Sequence, residues 1–92
     1  MSTIFVGDVG TEIVVDCGIA VTNATVRKII VVKPGGRRVR WDAVLNGTDQ
    51  IKYTTQAGDI DVVGDWSVQA YIELPNWKGY GTIATLKVAD PI

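Results

Sequence analysis

Three aspartates crowd one short stretch of the chain, "AGDIDVVGD" (57–65): Asp59, Asp61 and Asp65. Carboxylates this close can do two kinds of chemistry. With loop carbonyls they can supply the six or more oxygens that a hard cation such as calcium takes. As a pair in a cleft, one of them with a raised pKa, they can act as general acid and base. The D-x-D-x-x-x-D spacing matches no calcium loop with a defined ligand order. Aspartate also favours turns, where it binds its own backbone, and it guards sheet ends against association. We therefore read the stretch as structural, with no metal site: Ile60 and Val63 dip under the end of a β-core, and Gly64 permits a sharp turn into Trp66.

Other reactive groups are few. Cys17 is the only cysteine, so no intramolecular disulfide can form, and the chain has no histidine. That removes the commonest general base, the usual activator of a Ser or Cys nucleophile and the commonest zinc ligand together. Cys17 reads as a small core residue on an inward alternation. The glycines form no G-x-G-x-x-G and precede no helix, so phosphate cradling is unsupported. The expectation is a non-enzymatic protein with no catalytic residues and no cofactor.

Charge narrows the partners. A net charge of −1 and a pI near 5.1 argue against a nucleic-acid binder. The distribution is uneven, however. Between Gly18 and Trp41 there is no acid, while six of the nine basic residues fall there: Arg27, Lys28, Lys33, Arg37, Arg38 and Arg40. The apolar fraction of 47% with 21% charge fits one globular domain over residues 1–92. The longest uncharged apolar run, "IIVV" (29–32), is far too short for a membrane span. The opening "MSTIFVGDVG" lacks a leader pattern, so synthesis and retention in the cytoplasm are expected.

The elements that position these residues are strands. No stretch keeps a helical period, and β-branched runs between Gly-rich turns predict an all-β fold. "IFV" (4–6) is a short opening edge strand. In "TEIVVDCGIAV", Ile13, Val15, Cys17, Ile19 and Val21 alternate inward, with Gly18 at a bulge or a crossing between sheets. Gly35-Gly36 reads as a two-residue hairpin turn. That register pairs Val32 with Val39, Ile30 with Trp41 and Lys28 with Ala43 on a core face. It leaves Lys33 with Arg38, Val31 with Arg40 and Ile29 with Asp42 outside, a mixture of aliphatic and cationic side chains.

"QIKYTT" places Ile51, Tyr53 and Thr55 inside. The clearest strand buries Trp66, Val68, Ala70, Ile72 and Leu74 by strict alternation. "PNWKG" closes another hairpin, after which Leu86 and Val88 return to the core. The sum is an all-β, immunoglobulin-like antiparallel β-sandwich of about seven strands. Alternation also sends "PGG" and the acidic loop to one end, which makes the basic and acidic segments neighbours. Trp77 and Tyr80, at the last hairpin tip, serve either as anchors for a protein or sugar or as a cap on the core.

Taken together, "GDVGTEIVVDCG", "VVKPGG", Trp41, "YTTQAGDID" and "GDWSVQAYIEL" resemble small immunoglobulin-like domains of tailed phages and prophages. The likeness extends more loosely to the N-terminal domains of baseplate upper proteins. It implies a structural or adaptor module of the tail, baseplate or virion surface. Such a module works by protein–protein assembly, with other virion or tail proteins or with copies of itself as partners. The expected contact residues are Ile29, Val31, Lys33, Arg38 and Arg40 on the hairpin's outer face, with Trp77 and Tyr80 at the opposite tip. The alternative is a carbohydrate-binding module for the host surface that uses Trp77 and Tyr80 as stacking platforms. A small calcium-dependent domain is the third reading.

Overall fold

The computed structural model describes residues 4–92, so the first three residues of the opening stretch lie outside the described residues. Nine strands follow: β1 (Ile4–Phe5), β2 (Glu12–Asp16), β3 (Val26–Val32), β4 (Arg38–Asp42), β5 (Val44–Asn46), β6 (Gln50–Thr54), β7 (Gly64–Leu74), β8 (Trp77–Tyr80) and β9 (Ala84–Ala89). They form two sheets. One has the order β1-β9-β7-β3-β4, with β8 also paired to β7, and the other is β2-β6-β5. The protein is all-β. Among the described residues no helix is long and apolar enough to cross a membrane.

Two runs expected as single strands are each divided. After Asp42 the chain leaves the larger sheet, Ala43 N–H donating to Arg27 O at 3.0 Å, and continues as β5 in the smaller one. The turn expected over 75–79 is only Pro75-Asn76, Trp77 already pairing with Leu74, and the run expected from Tyr80 breaks between β8 and β9. Pairing is antiparallel throughout except where β1 runs parallel to β9, with Ile4 opposite Val88. That corrects the expectation of a wholly antiparallel fold. These two strands are not joined by a hairpin, so no turn forces them to run opposite ways. The chain then crosses sheets at Gly7, whose φ of 93° only glycine adopts readily, and Gly7 N–H donates to Ile60 O at 2.8 Å.

One core lies between the sheets. Ile13, Val15 and Ile51 from the smaller sheet meet Ile29, Val31, Trp41, Trp66, Val68, Ala70, Ile72, Leu86 and Val88 from the larger. Trp41 stacks on Tyr53 across the gap, ring centroids 4.5 Å apart. The second strand ends earlier than its alternation suggests. Asp16 Oδ1 accepts from Gly18 N–H at 2.9 Å, and this local turn competes with the ladder. Cys17 is therefore half-buried, Ile19 is exposed, and only Val21 regains the core.

Strand β7 organises the larger sheet. On one side it pairs with β3 from Ser67 to Glu73. On the other it pairs first with β9 (Gly64 to Val68) and then with β8 (Tyr71 to Leu74). Between those partners, Ala70 O accepts from Gly81 N–H at 2.9 Å, and Val68 lies opposite Ala84. Gln69 thus faces two residues, Thr82 and Ile83, which is a β-bulge. The Gln69 Nε2 amide donates to Gly81 O at 2.8 Å and bridges the interruption, while Ile83 is pushed into solvent.

Candidate partner-binding face

The register of the β3–β4 hairpin decides which residues can meet a partner. Gly36 N–H donates to Lys33 O at 3.0 Å, and Lys33 N–H donates to Arg37 O at 2.8 Å. The loop is therefore Pro34-Gly35-Gly36, three residues rather than two. Pro34 has φ locked for the second position of a type II turn, and Gly35 at φ 91° fills the third. Ile29 consequently pairs with Trp41, Ile30 with Arg40, Val31 with Val39 and Val32 with Arg38. Against the expected register this is a slip of one residue, which turns every side chain of β3 to the other side. Ile29 and Val31 are wholly buried. Both were expected on the outer face, and both are core residues.

Lys33 is corrected in the same way. Its side chain is only 6% exposed. The ammonium lies 2.8 Å from Asp61 Oδ1 and 5.0 Å from the centroid of the Trp66 ring. A buried cation needs a partner charge, and here Asp61 and the aromatic face supply it. Asp61 is also 3.7 Å from the Arg37 guanidinium. The hydrogen bond from Lys33 holds the Asp61 carboxyl below its ordinary pKa. The basic hairpin and the acidic loop are thus neighbours, as the alternation implied.

The other aspartates have local roles. Asp59 accepts from the Tyr53 hydroxyl and from Gln56 N–H at 2.7 Å. Burial, then the hydrogen bond to Asp59, pushes the Tyr53 hydroxyl up to about 12. Asp65 stands opposite Lys87 in the ladder. Among the described residues no three potential ligands gather in a way that could hold a metal ion. Ile60 is buried beneath this loop as expected, whereas Val63 is exposed and Val62 packs on the core instead. At Gly64 a Cβ would lie 2.6 Å from Pro34 Cγ, so the two loops meet where no larger residue fits.

Arg38 and Arg40 remain outside, joined by residues that the expected register hid. Ile30, now on this face, is covered by its neighbours, and with Val32, Arg38, Ser67, Gln69 and Ile83 it lines a shallow depression. Tyr80 lies on the same face. It pairs with Tyr71, their ring centroids 5.1 Å apart, and Tyr71 donates to Glu73 Oε2 at 2.7 Å. That bond raises the Tyr71 hydroxyl above its usual range, while Arg40 pulls it back down. The ion pairs among the described residues are Lys28–Asp42, Lys33–Asp61, Arg37–Asp61 and Lys52–Glu12. Arg38 and Arg40 belong to none of them.

Trp77 parts company with Tyr80. Residues three apart on a strand project to opposite sides, and Trp77 pairs with Leu74 while Tyr80 pairs with Tyr71. Its ring lies over Gly79, where a Cβ would come within 2.6 Å of Cζ2, and it stays 46% exposed. The two aromatics do not form one platform. Burial, then Asp16 and Asp49, pushes the Cys17 thiol pKa up. Comparison with protein-family models, with curated proteins and with solved structures finds no match to this chain.

Proposed function

We propose that the chain is a non-enzymatic assembly module of a tailed-phage or prophage virion, made in the bacterial cytoplasm and built as an immunoglobulin-like sandwich. Support for the sandwich comes from the strand order: β1-β9-β7-β3-β4 faces β2-β6-β5 across one core, with β1 parallel to β9. The observation that carries the functional reading is the outer face of the larger sheet. Two arginines outside every ion pair of the described residues, a tyrosine pair and an exposed isoleucine share it. Aromatic residues and arginine are the side chains enriched where protein surfaces meet, and they dominate binding energy.

The test is incorporation into particles. Arg40→Glu with Tyr80→Glu places two carboxylates on this face without touching the core. The variant should fold, as judged by circular dichroism and thermal melting, yet be lost from purified particles that contain the unmodified chain. Normal incorporation of the variant would exclude this face, and absence of the unmodified chain from particles would exclude the virion role. A second reading, carbohydrate binding, draws on Trp77, whose exposed ring lines an open depression with Glu73, Asn76 and Lys78. Glycan binding lost in Trp77→Ala, with particle incorporation intact, would favour it.

A further inference from the structure

We infer that the free edge of β4 is a docking site for an extended acidic segment, which adds to the larger sheet as a further strand. This rests on the assembly reading above and names the chemistry of its partner. β4 is the terminal strand of its sheet. Lys33 N–H donates to Arg37 O and Ala43 N–H to Arg27 O, and the register between these bonds is unbroken. Hydrogen-bonded and non-bonded pairs alternate along an antiparallel ladder. Val39 and Trp41 therefore bond to β3, while the N–H and C=O groups of Arg38, Arg40 and Asp42 point away from it. Among the described residues no backbone hydrogen bond covers them. This is a template for strand addition, with donors and acceptors at three alternate residues.

The side chains state which strand fits. Arg38, Arg40 and Asp42 are all exposed. Asp42 is neutralised by Lys28, so the edge carries two uncompensated positive charges. Side chains two residues apart on a strand lie on one face about 6.5–7 Å from each other. Carboxylates at alternate positions of an incoming strand would meet both guanidiniums, which suit carboxylates by geometry as well as charge. A second copy of this strand fits less well. Antiparallel pairing of two β4 edges about Arg40 sets Arg40 against Arg40 at the centre, where like charges directly opposite are destabilising, and leaves Arg38 only Asp42, a carboxylate that Lys28 already engages.

The probe is a synthetic peptide alternating glutamate with valine, titrated into isotope-labelled protein and followed by amide resonances and hydrogen exchange. The amides of Arg38, Arg40 and Asp42 should shift and become protected, with affinity falling as salt rises. A peptide with lysine in place of glutamate should bind weakly. Arg38→Glu with Arg40→Glu should invert that preference, by roughly tenfold or more. The inference is overturned if a peptide N-methylated on its ladder side binds the unmodified protein equally well. It is also overturned if protection appears elsewhere, or if charge reversal leaves the preference unchanged. Dimers in the absence of peptide, abolished by the same substitutions, would assign the edge to a second copy instead. Peptide binding at this edge by a chain that particles do not contain would end the virion reading and leave the docking site standing.

Discussion

Lys33 and Arg40 belong to one hairpin and carry the same charge, but they lie on opposite faces of one sheet. Lys33 is enclosed: its ammonium rests between Asp61 and the Trp66 ring, and it ties the hairpin turn to the acidic loop. Arg40 is exposed, outside every ion pair of the described residues and beside a free sheet edge. A cation satisfied within the molecule belongs to the fold. A cation left outside such pairs, with directional donors and open backbone beside it, is available to something else. The difference teaches that the basic segment divides into a cation enclosed by the fold and cations left at its surface, which merely share a stretch of chain.

Substitutions can break this comparison, and the largest effect is expected at the floor beneath Lys33. Trp66→Ala removes a wholly buried ring and should cost about 3–5 kcal/mol in denaturant unfolding. For so small a domain that is most of its stability. Trp77→Ala, at an exposed ring, should cost far less, and equal losses would mean that Trp77 caps the core.

Lys33→Ala should come next, at about 1–3 kcal/mol, because it leaves Asp61 without its closest partner while solvent and Arg37 soften the loss. Arg40→Ala should stay within about 0.5 kcal/mol, as exposed substitutions usually do. A loss at Arg40 as large as at Lys33 would erase the distinction between the two cations.

Smaller effects follow from pH. The folded-state pKa of Asp61 lies below the ordinary carboxyl value of 3.8. Its contribution is therefore complete above that value and disappears as pH falls through the lower folded one. Stability curves of the unmodified protein and Asp61→Asn should converge only at the acid end. Tyr53 behaves in the opposite sense. Its folded pKa is raised from 10.0 to about 12, so its contribution is present below pH 10 and is lost as pH rises toward 12. The advantage of the unmodified protein over Tyr53→Phe, about 1 kcal/mol near neutrality, should shrink across that window.

Particular strands show what the sequence made legible. β7 could be read residue by residue, because its buried and outward positions alternate without exception from Trp66 to Ile72. β3 could not. Ile29, Ile30 and Val31 are apolar on both faces and all three are buried, so alternation there says nothing about direction. Only the turn could set the register, and the signal was Pro34. A proline followed by glycine fits the middle of a type II turn, and counting Pro34 into the loop moves the register by one.

The hairpin's contact residues followed from that single count. Ile29, Val31 and Lys33 were assigned outward and lie inward, whereas Arg38 and Arg40, on β4, kept their side. Lysine is almost never fully buried unless paired, and its partner Asp61 is remote in sequence. The neighbouring basic and acidic loops were the one available hint. The bulge opposite Gln69 left no mark in composition, so the outward thrust of Ile83 was not legible.

The arrangement of partners around β7 has a consequence for how the molecule opens. β3 lines one edge of that strand, while β9, the Gln69–Gly81 bridge and β8 line the other in succession. The β7 amides that bond to β3 and β9 cannot reach solvent by loss of a single strand at a sheet margin. β2, β4, β5, β8 and the two-residue β1 each hold one partner strand and can fray separately. Deuterium should enter those margins through local opening, whereas the middle of β7 should exchange only when the whole domain unfolds. Its exchange rate would then report the global unfolding equilibrium from a single strand.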